Sequence, residues 1–154
     1  MKKIEWFVIL TGLGLDAITK TLISLLIPYG QEIVIIKDFF WLTYLKNTGA
    51  AWSLLEGQQG FFILLSSVAC IVIGYFFLKS DKKQIWFRYS LIFIFVGAFG
   101  NLVDRITVGG VRDFLAFNLF GYHFPVFNVA DTALNIGVVC LIVDTIRDER
   151  RKHA

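Results

Sequence analysis

Charge is what this sequence has least of. Asp, Glu, Lys and Arg together make up 18% of its 154 residues, while 56% are hydrophobic. A water-facing domain of this length needs a surface richer in ionic groups. The mean hydropathy of +0.68 therefore excludes a soluble fold and points to an integral membrane protein. Cysteine is almost absent too: Cys70 and Cys140 both sit inside apolar runs, which excludes a disulfide framework or a zinc site. Neither histidine, His123 or His153, lies near a cysteine. No HExxH run occurs, and Ser53, Ser66, Ser67 and Ser90 lack a G-x-S-x-G context. Metal-assisted hydrolysis and serine or thiol nucleophiles thus have no support in sequence. The net charge of +3 and pI near 8.9 do not indicate nucleic-acid binding, because the basic residues form three short clusters between apolar runs.

About 20 helical residues cross a hydrocarbon core about 30 Å thick. Four segments approach that length, at about residues 5–27, 61–78, 85–105 and 128–146. Met1-Lys2-Lys3 before Trp6 to Leu15 has the outline of a secretory signal. Asp16 and Lys20 interrupt the run, and it resumes from Thr21 to Ile27, so it reads as a retained span. Ten basic residues fall at the N-terminus (Lys2, Lys3), between spans two and three (Lys79, Lys82, Lys83, Arg88) and at the C-terminus (Arg147, Arg150, Arg151, Lys152). Positive residues collect on the cytoplasmic side of short loops, so both termini are expected in the cytoplasm. The long connections, about 28–60 and 106–127, are then expected outside. Glu32 to Ile36 and Phe40 to Leu45 are β-branched and aromatic runs that predict a short sheet resting on the membrane surface. With no repeat or flexible linker, residues 1–154 read as one domain. Its expected class is an all-α membrane protein of four transmembrane helices with a small extracytoplasmic β region at about 28–60.

Ionisable groups inside a bilayer are costly unless paired or hydrated, so each is a functional candidate. Asp16 and Lys20 are i,i+4 in span one. Asn101, Asp104 and Arg105 are i,i+3,i+4 at the outer end of span three, and Asn128 and Asp131 are i,i+3 at the start of span four. Each set shares a helix face, and Asp131 lies only about 4.5 Å below Asn128 at about 1.5 Å per residue. Polar groups of three spans are thus expected to converge near the outer interface, with Asp113 in the loop just beyond span three. Structural roles stand beside the functional ones. Asp16 with Lys20 can be a bundle ion pair, Asp104 and Arg105 a helix-end anchor, Asn128 an N-cap, and Asp131 a first-turn acid. Only carboxylates remain as catalysts, however. Two Asp residues sharing a site resist ionising together, so one keeps its proton while the other acts on water as a base.

Five stretches then match a family: Asp16-Ala17-Ile18-Thr19-Lys20, Asn47-Thr48-Gly49-Ala50-Ala51-Trp52, Gly100-Asn101-Leu102-Val103-Asp104-Arg105, Val111-Arg112-Asp113-Phe114 and Phe127-Asn128-Val129-Ala130-Asp131. In this order and on four predicted spans, the chain resembles lipoprotein signal peptidase, or signal peptidase II, along nearly its whole length. The resemblance implies a bacterial inner-membrane aspartyl peptidase with four helices and an outer β-cradle. Such an enzyme cuts the signal peptide before a diacylglyceryl-modified Cys of a prolipoprotein. It places the catalytic pair on Asp113 and Asp131, with Asn47, Gly49, Ala50, Asn101, Asp104, Arg105, Asn128 and Ala130 in support and Asp16 and Lys20 at the inner edge. No metal or organic cofactor is implied, and membrane lipids are the other expected partner. The chain departs from the family pattern at Ala17, where Gln is frequent, and at Arg112, where an apolar or polar residue is common. Arg112 is expected to depress the ionisation pKa of Asp113 by proximity, which leaves open which Asp is the base. The rival is a small proton-coupled transporter component. A proton relay should spread ionisable groups through the full membrane depth, whereas span two and the inner halves of spans three and four are expected to hold none. A purely structural scaffold would make the Asp pair incidental.

Overall fold

A computed structural model of the chain describes residues 2–49 and 54–152, the side chains of 151 and 152 excepted. The four apolar runs form helices α1 (Lys3–Leu26), α2 (Gln59–Lys79), α3 (Ile85–Val108) and α4 (Val129–Lys152). Each is long and apolar enough to cross a membrane. Their outward faces remain apolar, as at Ile71 and Leu78, which are 72% and 80% exposed. A lipid solvent accounts for such surfaces. α3 is the central helix and packs most extensively on α4. Glycine permits that approach: a Cβ on Gly97 would run into the Ala130 carbonyl oxygen, and one on Gly137 would lie 2.6 Å from Ile94 Cγ1. α3 ends at Gly109, whose φ of 71° suits a residue without a side chain.

The first long connection supplies β1 (Glu32–Ile36) and β2 (Phe40–Asn47), as their β-branched and aromatic content predicts. The second connection corrects the expectation that β structure is confined to 28–60. It forms β3 (Val111–Leu119) and β4 (Tyr122–His123), and the four strands pair antiparallel in the order β1-β2-β3-β4. Asp113 therefore sits on a central strand, not in a loop. Phe120 and Gly121, both at positive φ (55° and 90°), make the tight turn between β3 and β4. One face of the sheet rests on the end of α1, where Phe114 joins Ile23 and Ile27 with Leu42, Tyr44 and Val129 around them. Between Leu42 and Leu45 the register with β3 shifts, so Thr43 and Tyr44 together oppose Phe114. Such a bulge twists the strand and re-aims the residues beyond it, Asn47 among them.

At the far end of the bundle Arg88 is not the loop charge that the clusters suggested. It lies one turn inside α3, 5% exposed, with Nε donating to Glu5 Oε1 (2.8 Å) and Nη2 to Glu5 Oε2 (3.0 Å). Its Nη1 reaches Ser80 Oγ at 2.7 Å, and the guanidinium lies over the Phe77 ring. The halves of α3 and α4 away from the sheet thus do carry charge, at Arg88 on α3 and from Asp144 onward on α4. No charged residue occurs on α3 between Arg88 and Asn101, however, and Leu91, Ile92 and Val96 are buried in that interval.

Candidate active site

Asn128 immediately precedes α4, and its Oδ1 accepts the Asp131 N–H (2.9 Å) while Asp131 Oδ2 accepts the Asn128 N–H (3.2 Å). This reciprocal cap fulfils the structural reading of both residues. Their remaining atoms turn elsewhere. Asn128 Nδ2 donates to Asp113 Oδ1 at 2.7 Å and to Asn101 Oδ1 at 3.2 Å, and Asp131 Oδ1 accepts Asn101 Nδ2 at 2.7 Å. The two amides join two carboxylates that arrive from a strand and a helix.

The sheet brings Asp113 to this place. The N–H groups of Phe114 and Leu115 both donate to the Phe127 carbonyl, and Phe127 N–H donates to Leu115 O. The next residue, Asn128, is thereby set beside Asp113. From β2, Asn47 pairs with Val111 across the ladder, and its Nδ2 reaches Asp113 Oδ2 at 3.1 Å. Diagonal cross-strand neighbours are close enough for such contact. Asp113 is 4% exposed. Burial, and next the charge of Asp131, push its pKa up to about 7, against the opposing hydrogen bonds of Asn47 and Asn128.

Beneath the pair lies a buried ionic group. Lys20 Nζ, with no exposed surface, donates to Asp16 Oδ2 (2.8 Å) and Asn101 Oδ1 (3.0 Å) and stands 3.6 Å from Asp104 Oδ2. Asp16 uses its other oxygen to accept the Ala130 N–H at 2.9 Å, tying α1 to the first turn of α4. A Cβ at Gly100 would lie 2.6 Å from Asp16 Oδ2, so only glycine leaves that carboxylate its place. Asp104 accepts the backbone N–H of Arg112 (2.9 Å) and its guanidinium (Nη2 to Oδ1, 2.7 Å). The expected action of Arg112 on Asp113 is therefore not a direct contact: adjacent strand residues face opposite ways, and Arg112 is directed at Asp104. Asp104 holds the Arg112 guanidinium above its ordinary pKa.

Arg105 is half-buried: its Nη2 donates to Gly49 O (3.2 Å), and the guanidinium lies over the Phe62 ring. Gly49 N–H in turn donates to Asn47 Oδ1 at 2.9 Å. Ala50 lies outside the described residues; every other expected site residue is in this network or braces it. A cavity of about 380 Å³ opens over the pair, with Asp113, Asp131, Asn47 and Arg105 as polar walls and Phe124 and Phe127 as apolar ones. A second, of about 320 Å³, shares Asn47 and Asp113 and is edged by Lys46, Glu56 and His123. The sequence reading did not identify Phe124 to Phe127 as a cavity wall; the signal available was a proline between aromatics just ahead of Asn128. A carboxyl near pKa 7 beside a second carboxylate, at the mouth of a partly apolar cavity, can exchange protons with water and a bound amide.

A family model described as signal peptidase (SPase) II matches residues 8–147 of the chain. Over 150 residues the chain is 38% identical to a lipoprotein signal peptidase of Staphylococcus haemolyticus (strain JCSC1435), covering 97% of this chain and 95% of that protein. It is 37% identical over 137 residues to a lipoprotein signal peptidase of Staphylococcus aureus (strain Newman), covering 89% and 84%. Two solved bacterial membrane enzyme structures superpose with TM-scores of 0.90 and 0.84, each at 34% identity. The first alignment covers 96% of this chain and 90% of that one, the second 94% and 93%.

Proposed function

The chain belongs to the signal peptidase II family, and from that premise we propose that it is an aspartyl endopeptidase removing signal peptides from diacylglyceryl-modified prolipoproteins. The cut falls just before the lipid-modified Cys, with Asp113 and Asp131 as the catalytic pair. The observation that carries this reading is the joining of the two carboxylates through Asn101 and Asn128 beneath a single cavity. At neutral pH a carboxyl with a pKa of about 7 is suited to hold the shared proton. Asp131 then takes a proton from water as the water attacks the scissile carbonyl, and Asp113 protonates the carbonyl oxygen. Collapse of the resulting diol passes a proton to the departing amine of the lipid-bearing Cys. Asn101 and Asn128 hold the carboxylates in register throughout, and Arg105 and Gly49 line the peptide's path. The pair works without nucleic acid, and the partners are the prolipoprotein and the surrounding lipids.

The sheet end of the bundle is assigned to the outer face of a bacterial cell membrane, with both termini cytoplasmic. A site at headgroup level receives a peptide whose acyl chains stay in the bilayer, since each buried CH₂ favours the anchored state by about 0.8 kcal/mol. Asp113→Asn and Asp131→Asn each keep side-chain size but remove proton exchange. Each is expected to abolish cleavage of a lipid-modified precursor while the protein still folds and inserts. A precursor without the diacylglyceryl group is expected to be cut far more slowly. Near wild-type turnover in either variant refutes the catalytic pair, and equal rates for both precursors refute lipid recognition. The transporter reading loses its support in the interval of α3 from Leu91 to Gly100, which offers no charged residue for a relay.

A further inference from the structure

Arg112 directly precedes Asp113 on β3, and its guanidinium is committed to one partner. Asp104, 1% exposed, receives from it a backbone N–H, Nε (3.2 Å to each oxygen) and Nη2 (2.7 Å). With both carboxylate oxygens so occupied, Asp104 leaves Lys20 at 3.6 Å, outside hydrogen-bond reach. The Lys20 ammonium is instead bonded to Asp16 and to Asn101 Oδ1. Only one orientation of the Asn101 amide lets its oxygen face Lys20 and its nitrogen face Asp131, and that is the one present. We propose that Arg112 is a positioning residue: by engaging Asp104 it keeps Lys20 on Asn101, and so keeps a polarised amide donating to Asp131.

The inference rests on the assignment of Asp113 and Asp131 as the catalytic pair. Lys20 and Arg112 balance Asp16 and Asp104, so the group beneath the pair is neutral. Without Arg112 it carries one net negative charge. Asp104, stripped of its side-chain donors, then draws Lys20 away from Asn101. Both changes oppose ionisation of the pair, because a nearby negative charge is added and a donor to carboxylate is weakened. The ionised base is then reached only at higher pH, and the proton on its partner is also held to higher pH. The whole pH–rate bell should move upward. Other charged or titratable groups near the pair are Arg105 on α3, Lys46 and Tyr44 on β2, and Tyr29, Glu56 and His123 around the second cavity. All are unchanged between the proteins compared, so they set the bell's starting position and not its displacement.

The test is kcat/KM against pH for the full-length enzyme on a lipid-modified precursor, comparing wild type, Arg112→Met, Arg112→Lys and the double variant Arg112→Met with Asp104→Asn. Arg112→Met is expected to displace the bell upward by about half to one pH unit, the order expected for one unit charge at this separation through a partly hydrated site. Arg112→Lys keeps the charge and is expected to stay near the wild-type position even if its rate falls. The double variant removes one charge of each sign and is expected to return toward wild type. An unmoved bell in Arg112→Met, an equal displacement in Arg112→Lys, or a double variant that stays displaced overturns the inference. Should Arg112→Met fail to fold, Arg112→Gln, which also removes the charge, takes its place in the comparison. Asp113→Asn and Asp131→Asn run alongside: activity in either refutes the catalytic pair itself. Inactivity in both, with an unmoved Arg112→Met bell, refutes only the role of Arg112.

Discussion

Replacing Asp113 by Asn should remove activity and yet make the fold less sensitive to alkali, and the size of that effect follows from its surroundings. Burial and the charge of Asp131 raise the Asp113 pKa from 3.8 to about 7. At about 1.36 kcal/mol per unit, that rise is about 4 kcal/mol of unfavourable ionisation. The folded value exceeds the unfolded one, so the native state binds the extra proton. The stability this group contributes is complete below about pH 4 and is lost as pH rises through about 7. Asp113→Asn cannot ionise and escapes that loss. Its stability relative to wild type is therefore expected to climb by about 3 kcal/mol between pH 5 and 8, or about 6–12 °C in Tm for a chain of this length. Taking the difference at each pH cancels other titrating groups and any fixed cost of fitting an amide against the donors of Asn47 and Asn128. The assay is thermal unfolding of both proteins in one detergent, followed by circular dichroism at pH 5, 6, 7 and 8. A flat difference would mean that Asp113 is hydrated or held as the carboxylate by a cation, since folded and unfolded forms are then both ionised by pH 5, and a falling one that the substitution shifts some other titrating group. Either result refutes the reasoning.

Gly100→Ala should displace the Asp16 carboxylate from Ala130 N–H, costing about 1–3 kcal/mol and at least tenfold in turnover, read by Tm and by precursor cleavage. Arg88→Met strands Glu5 in a 2% exposed position, for which about 3–5 kcal/mol of destabilisation is expected. Adding Glu5→Met should recover most of it, and a double variant no more stable than the single would show that the pair is not what holds this end. For orientation, a cysteine at Ser80 should react with a membrane-impermeant reagent only after the membrane is opened, and one at Gln58 in intact cells. Both are placed in a background lacking Cys70 and Cys140, and the reverse pattern would invert the topology.

The helices are legible in sequence because a bilayer imposes one demand, about 20 apolar residues in a row, and the chain meets it four times. Strands β1 and β2 are legible from β-branched and aromatic runs. β3 is hidden because Arg112 and Asp113 break its apolar pattern, although Gly109-Gly110 before it and Phe120-Gly121 after it delimit a strand. Arg88 is misplaced because a charge near a loop reads as a loop charge unless its buried partner is known, and Glu5 lies 83 residues away. The polar faces of α1, α3 and α4 are visible from spacing, since i,i+3 and i,i+4 repeats fix which side chains share a face. Spacing gives no partner across elements. The turning of Arg112 toward Asp104 follows from strand alternation on β3, and the placing of Asn128 between both carboxylates from the Phe127 bridge to β3, neither of which exists before the chain folds.

That bridge also sets when the enzyme can begin to exist. During synthesis Asp113 leaves the ribosome ahead of Asp131, and one of the two amides that join them, that of Asn128, belongs to the residue before α4. A chain that has delivered three helices carries a lone carboxylate on a strand whose contact with Phe127 has not yet formed. On the proposed catalytic pair, cutting power is expected to arrive in one step with the last helix, so that an incomplete chain is inert toward prolipoproteins. The same arrangement puts Asp113 and Asp131 on opposite sides of the β3–β4 turn, so neither residues 1–119 nor residues 120–154 carry both carboxylates of the proposed pair.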